Sequence, residues 1–263
     1  MKSLRRADLT LLGLLFLISL LLRVSFLIPG GFDGLYGQDA YAYYTFAGNL
    51  RSFVNTGQPL PAFFWPLGYP ALLAAGFALF GASAAGQALN VLMGAALAPL
   101  VYILARRMQS GRVGAVTAGL LLAVCGQAVQ SSLVLMADIP ALFWALLSAI
   151  TLVAYHSAKG RLVWLVAAAV FLALACLTRW LYLALLPAWG AALLLNRGTR
   201  WRDVLIAGFI GLLVLLPQCA YSATNPHPLF NHAWVQGWSP GNFFQHEFTN
   251  TDGDFVYTQP NAL

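Results

Sequence analysis

Pro66-Leu67-Gly68-Tyr69-Pro70-Ala71-Leu72-Leu73-Ala74-Ala75-Gly76-Phe77-Ala78-Leu79-Phe80 is apolar enough for a membrane interior but too short to cross one. As a helix its 15 residues reach roughly 22 Å at about 1.5 Å per residue, against a hydrocarbon core about 30 Å thick. Pro66, Gly68 and Pro70 also break its start. How this stretch is read decides how the rest of the chain is threaded. The apolar candidates are 9–28, 66–80, 84–105, 113–134, 139–156, 162–178, 181–196 and 204–221. If all of them crossed, Arg106, Arg107 and Arg112 would share a side with the outer loops, as would Arg197, Arg200 and Arg202. With 66–80 laid along the outer surface, seven crossings remain. Lys2, Arg5, Arg6, Arg106, Arg107, Arg112, Lys159, Arg161, Arg197, Arg200 and Arg202 then gather on the inner side, as the positive-inside rule requires.

Composition places the chain in this class independently. Of 263 residues, 60% are hydrophobic and 8% charged, and mean hydropathy is +0.75. A soluble domain carries about 25% charged residues. So much apolar surface needs lipid as solvent, which leaves helices or a closed barrel. Long apolar runs, with no ten-residue alternation, select helices. The net charge of +6 is explained by loop placement, and no nucleic-acid partner is implied. Lys2, Arg5 and Arg6 followed by Leu9–Leu22 resemble a secretory signal, but no small-x-small cleavage site follows, so a signal-anchor helix with a cytoplasmic N-terminus is expected. Cys125, Cys176 and Cys219 lie inside apolar runs and form no CxxC pair, so they are expected to act as small buried hydrophobes.

The predicted fold is an all-α multi-pass membrane protein of about seven transmembrane helices plus outer juxtamembrane helices. Residues 1–221 form the helical domain, including the outer loop 29–82, and residues 222–263 form a second outer loop in which the chain stops. Acids separate opposite to the bases. Asp33, Asp39, Asp138, Glu247, Asp252 and Asp254 fall outside; Asp8 and Asp203 fall inside. Acids do not set topology, so this separation points to a working site on the outer, extracytoplasmic face. Long loops beside a rigid scaffold are where such sites are usually found.

In the first outer loop, Gly37–Leu50 reads as an interfacial helix capped by Asp39, with Tyr43, Ala47 and Leu50 on one face and its tyrosines at headgroup depth. Asp138, in Ala137-Asp138-Ile139-Pro140, is a lone acid between two outer helix ends. A carboxylate at the edge of hydrocarbon is costly and marks a functional candidate, though it also suits an N-cap with Pro140 in the first turn. Arg179, in Leu177-Thr178-Arg179-Trp180, and Arg23, near the outer end of the first helix, are placed to snorkel to headgroup phosphates. Each of the four has an ordinary structural explanation; two carboxylates and two guanidiniums at one depth are harder to explain separately. In the tail, His246-Glu247 stands among Trp234, Trp238, Asp252 and Asp254, without a second His at i+4.

Taken in order and spacing, Arg23, the loop Asp39-Ala40-Tyr41-Ala42-Tyr43-Tyr44, the segment Pro66-Leu67-Gly68-Tyr69-Pro70 ending in Phe80-Gly81, Ala137-Asp138-Ile139-Pro140 and Leu177-Thr178-Arg179 resemble the membrane glycosyltransferases of the C-type fold. The nearest branch is that of the protein O-mannosyltransferases and lipid A aminoarabinose transferases. The resemblance implies transfer of a sugar from a polyprenyl-phosphate donor to an acceptor hydroxyl or amine at the outer face of the cell membrane, with inversion. The acceptor is a protein, lipid or glycan. It implies Asp39 as catalytic base, Arg179, Arg23 and Tyr69 on the donor phosphate, and in some relatives a divalent metal (Mg, Mn or Zn) held by Asp39 and Asp138. Tyr43, Tyr44, His246 and Glu247 are the acceptor-side candidates. Where many relatives carry Asp-Glu, Ala40 follows Asp39; where the aminoarabinose branch has a lysine, Phe64 and Trp65 stand. Relatives are also longer, so the chain is expected to be an N-terminal part. The competing classes are a transporter or permease, which would need polar groups or broken helices at mid-bilayer, and a non-catalytic membrane subunit.

Overall fold

The computed structural model describes residues 6–28, 32–80, 82–157, 161–196 and 198–224; the tail residues His246 and Glu247 lie outside these. The described residues are all-α: α1 (Arg6–Leu27), α2 (Gly37–Thr56), α3 (Gly68–Phe80), α4 (Ala82–Arg107), α5 (Arg112–Val124), α6 (Gly126–Leu133), α7 (Asp138–Ser157), α8 (Leu162–Thr178), a 3-10 turn Trp180–Leu185, α9 (Leu186–Leu195) and α10 (Trp201–Thr224).

The chain divides into two compact units, one of Met1–Leu60 with Trp65–Leu216, the other of Pro61–Phe64 with Pro217–Leu263. In the second, the Tyr221 hydroxyl donates to the Pro61 carbonyl at 2.7 Å. In the first, α4 and α7 are central. Leu15 of α1, Ala98 and Tyr102 of α4 and Ala115 and Ala123 of α5 form one buried cluster. Met93 and Leu97 of α4 meet Ile139 of α7, and Leu152 and Tyr155 of α7 pack on Leu165 and Ala168 of α8. The apolar residues left outside, such as Leu21, Leu121 and Leu205, are what a lipid-facing surface requires.

Among the described residues, four helices are long and apolar enough to cross a membrane: α1, α4, α7 and α10. The predicted single span 113–134 is instead a pair, α5 and α6, bent by 51° at Cys125. With that pair as one span the count is five; α8 and Trp180–Leu195 are apolar but shorter. Those two segments occupy the other two of the seven stretches expected to cross, so the expected count is met only in part. The segment predicted over 66–80 is the 13-residue α3, about 20 Å long, and so stays short of a crossing. Cys176 is buried as expected, whereas Cys125, at the bend, and Cys219 are exposed.

The bundle is tied at the end that carries the basic loops. Asp8, 1% exposed, accepts from the Tyr102 hydroxyl at 2.6 Å and from Arg112 Nε at 3.2 Å, with Arg106 Nε at 3.8 Å. A buried carboxylate is tolerated only with such partners, so this acid joins the first turn of α1 to the ends of α4 and α5.

Candidate active site

At the opposite end of the first unit, Asp138 and Arg179 meet, and Asp39 feels the charge of both. Asp138 opens α7, with Pro140 in its first turn, where a carboxylate is favoured by the helix dipole. Arg179 follows α8; its backbone N–H closes the helix on Ala175 at 2.8 Å. Its Nη1 donates to Asp138 Oδ2 at 2.9 Å, and the two side chains are 33% and 38% exposed. The pair is therefore partly open to its surroundings.

Asp39 was expected to cap its helix. It does not: α2 begins at Gly37, the cap position is Tyr36 without a side-chain hydrogen bond, and Asp39 sits inside the first turn. Partial burial pushes its carboxyl above the ordinary aspartate range; the Arg179 charge pulls it back and the Asp138 charge pushes it further up. All three groups thus lie within electrostatic reach of one another.

One turn along α2 from Asp39, Tyr43 is fully buried. Its ring meets Trp65 at 5.6 Å and the edge of Tyr69 at 4.9 Å. The expected tyrosine belt is therefore split. Tyr36 and Tyr41 are exposed, while Ala40, Tyr43, Phe46 and Ala47 form the buried face. Tyr44 packs on Phe77 of α3 at 5.3 Å. Tyr69 is buried and its hydroxyl donates to Asn90 Oδ1 at 3.2 Å. Burial raises the Tyr43 and Tyr69 hydroxyls well above the usual tyrosine range, so neither titrates near neutral pH.

Arg23, suited by sequence to snorkel, is instead completely buried. Nη1 donates to the carbonyl and hydroxyl of Ser19 at 2.9 and 2.6 Å, and Nε donates to Ser132 Oγ of α6 at 3.0 Å. Nη2 is buried and has no hydrogen-bond partner among the described residues. The guanidinium fits because α4 carries no side chain at Gly94. A Cβ there would lie 2.2 Å from Ser132 Oγ and 2.9 Å from Arg23 Nε.

The residues that sequence reasoning missed are Gln87 and Asn90 of α4. Gln87 Nε2 donates to the Leu133 carbonyl at 2.8 Å. Asn90 Nδ2 donates to the carbonyls of Val134 and Met136 at 2.7 and 3.0 Å. Gln87 thus holds the end of α6, and Asn90 holds the non-helical connector between α6 and Asp138. On its other side Leu135 N–H donates to the Gly34 carbonyl at 2.8 Å. Gly34 has φ +85°, and a Cβ there would fall 2.1 Å from Leu135 Cδ1, so glycine is required. Two amides three residues apart in an apolar helix are the sequence signal that marks this face.

Arg179 is held from the α3 side. Gly68 packs on the end of α8 so closely that a Cβ would meet the Leu177 carbonyl oxygen at 2.5 Å. That neighbour is backbone, two residues before Arg179, and cannot rotate away. Gly68→Ala is expected to cost about 1–3 kcal/mol from overpacking and to lower activity by shifting Arg179. The melting temperature in detergent, read beside transfer rate, checks it; an unchanged melting temperature with unchanged rate would show that α3 is not fixed against α8.

Residues 74–227, more than half of the 263, match the family model described as dolichyl-phosphate-mannose-protein mannosyltransferase. The chain belongs to that family. It is accordingly a multi-pass membrane glycosyltransferase. The matched region includes Asn90, Asp138 and Arg179 and leaves Arg23, Asp39, Tyr43 and Tyr69 outside it. No curated protein and no solved structure matches the chain.

Proposed function

We propose that the chain transfers a sugar from a polyprenyl-phosphate donor to an acceptor hydroxyl or amine at the extracytoplasmic face of the cell membrane, inverting the sugar carbon. The observation that carries this reading is the half-open Asp138–Arg179 pair at 2.9 Å with the charge of Asp39 inside its field. The acceptor oxygen or nitrogen attacks the anomeric carbon, the bond from that carbon to the phosphate oxygen breaks, and the electron pair leaves with the lipid phosphate. Asp39 takes the acceptor's proton. Its raised affinity for protons makes it a better base than an ordinary aspartate.

Arg179 is the phosphate ligand. Its guanidinium offers donors beyond the one used on Asp138. Arg23 spends three donor contacts on Ser19 and Ser132, so in this reading it contributes positive potential from inside the bundle, and Tyr69 contributes a ring wall. Asp39 and Asp138 are also the residues that would hold a divalent cation. Among the described residues no group of three or more His, Cys, Asp or Glu comes together, but two carboxylates and a substrate phosphate form a donor set that suits Mg or Mn better than Zn. Such an ion would neutralise charge on the departing phosphate.

The test is the anomeric configuration of the product formed from radiolabelled polyprenyl-phosphate mannose in membranes carrying the chain, with and without Mn²⁺. Inversion is expected. A retained anomer would require a covalent sugar intermediate and remove Asp39 from the role of base.

A further inference from the structure

We infer that Asn90 is a positioning residue that sets Asp138 against Asp39, acting through the connector between α6 and α7. The inference rests on reading Asp138 as a site residue. Asn90 is completely buried and touches neither carboxylate in any described hydrogen bond. Its amide nitrogen holds the carbonyls of Val134 and Met136, and Met136 lies two residues before Asp138. Its amide oxygen accepts from Tyr69. The Tyr69 ring packs on Tyr43, one turn from Asp39 on α2. Asn90 thus links the segment that ends at Asp138, through Tyr69 of α3, to the element that carries Asp39.

The connector has few other supports. Residues 134–137 are not helical, so their backbone groups need partners other than helix bonds. Gln87 takes the Leu133 carbonyl at the end of α6, the Gly34 carbonyl takes Leu135 N–H, and Met136 N–H donates to the Val134 carbonyl within the segment; Asn90 takes the Met136 carbonyl and shares that of Val134. A buried carbonyl without a donor is costly, and without Asn90 the Met136 carbonyl loses its donor, so this end of the connector shifts to find another. Displacement of a reacting group by about 1 Å costs on the order of 10²-fold in rate.

Two measurements on the full chain test this. Hydrogen exchange at 134–138 should accelerate in Asn90→Ala, because the connector loses its clasp; unchanged protection there would overturn the inference. The second is a double-mutant cycle on transfer from radiolabelled polyprenyl-phosphate mannose. Asn90→Ala alone should lower kcat about 10–100-fold with the KM for donor changed far less. In an Asp138→Asn background the same substitution should cost less than about 2-fold, since there is no longer a carboxylate to position. Equal losses in both backgrounds would mean general damage to the fold and would refute the positional role, as would a near-normal rate for Asn90→Ala. If Asn90→Ala cannot be recovered folded, Asn90→Asp replaces it: it is close in size, still accepts from Tyr69, and loses the amide donors. A near-normal rate for Asp138→Asn would count against the proposed function instead, and the exchange measurement would still decide whether Asn90 holds the connector.

Discussion

Asp39→Asn is expected to reduce the rate of sugar transfer about 10²-fold or more, the usual size of a general-base effect, with the amount of folded protein in the membrane unchanged. Asparagine keeps the size of the side chain. It also keeps whatever helix-starting preference the position needs, and that need is small, since Asp39 is not the cap of α2. The loss corresponds to about 2.7 kcal/mol in the transition state, too much for a half-buried surface contact to supply. The pH dependence carries the same claim. A base must be deprotonated to act, so kcat/KM falls as pH drops through its pKa. Burial raises that value above the ordinary aspartate range, near 4, so the acid limb of the wild-type profile should lie above about 4 and be absent from the residual activity of Asp39→Asn. An asparagine variant at nearly the wild-type rate would leave Asp39 as a structural residue of the first turn.

Arg179→Ala should cost about 10²–10³-fold, the range seen when one donor to a developing oxyanion is removed. Its ion pair with Asp138 is partly exposed, and such pairs contribute about 0–1 kcal/mol to stability. Loss of fold therefore cannot account for a drop of that size. Arg179→Lys should fall between, because lysine keeps the charge and loses the planar fork. The defect should appear in the use of donor, with the acceptor KM little changed. If Arg179 served only to hold Asp138, Asp138→Asn would reproduce the Arg179→Ala defect and Lys would restore nearly all of it; initial rates at varied donor separate the two.

The membrane class and the site end were both legible in the sequence, for one physical reason. Charges are so costly in hydrocarbon that Asp39, Asp138 and Arg179 stand out from the apolar runs around them. The short helix over 66–80 was legible from its length and prolines, and α3 occupies that stretch. The bend at Cys125 was not. Residues 113–134 have the length of one span and so read as one helix; Gly126 and the polar Gln127, Gln130, Ser131 and Ser132, which set α6 apart from the apolar α5, are the signal that the apolar run ends near Cys125. Arg23 differs from its sequence reading for another reason. An arginine near a helix end reads as snorkelling, and what buries it is the notch at Gly94 and the hydroxyl of Ser132, distant in sequence. Ser19, four residues before Arg23, was the one local hint. Gln87 and Asn90 went unread because attention to ionisable residues passes over amides, although in an apolar helix an amide also demands partners.

The central claim is that the Asp39, Asp138 and Arg179 end of the bundle moves a sugar off a polyprenyl phosphate. It is tested most directly by incubating radiolabelled polyprenyl-phosphate mannose with membranes that carry the chain and with matched membranes that lack it, and following label from the lipid phase into acceptor. Transfer that depends on the chain and falls on Asp39→Asn or Arg179→Ala is the expected result. Equal transfer in both membranes, or chain-dependent transfer indifferent to both substitutions, would contradict it.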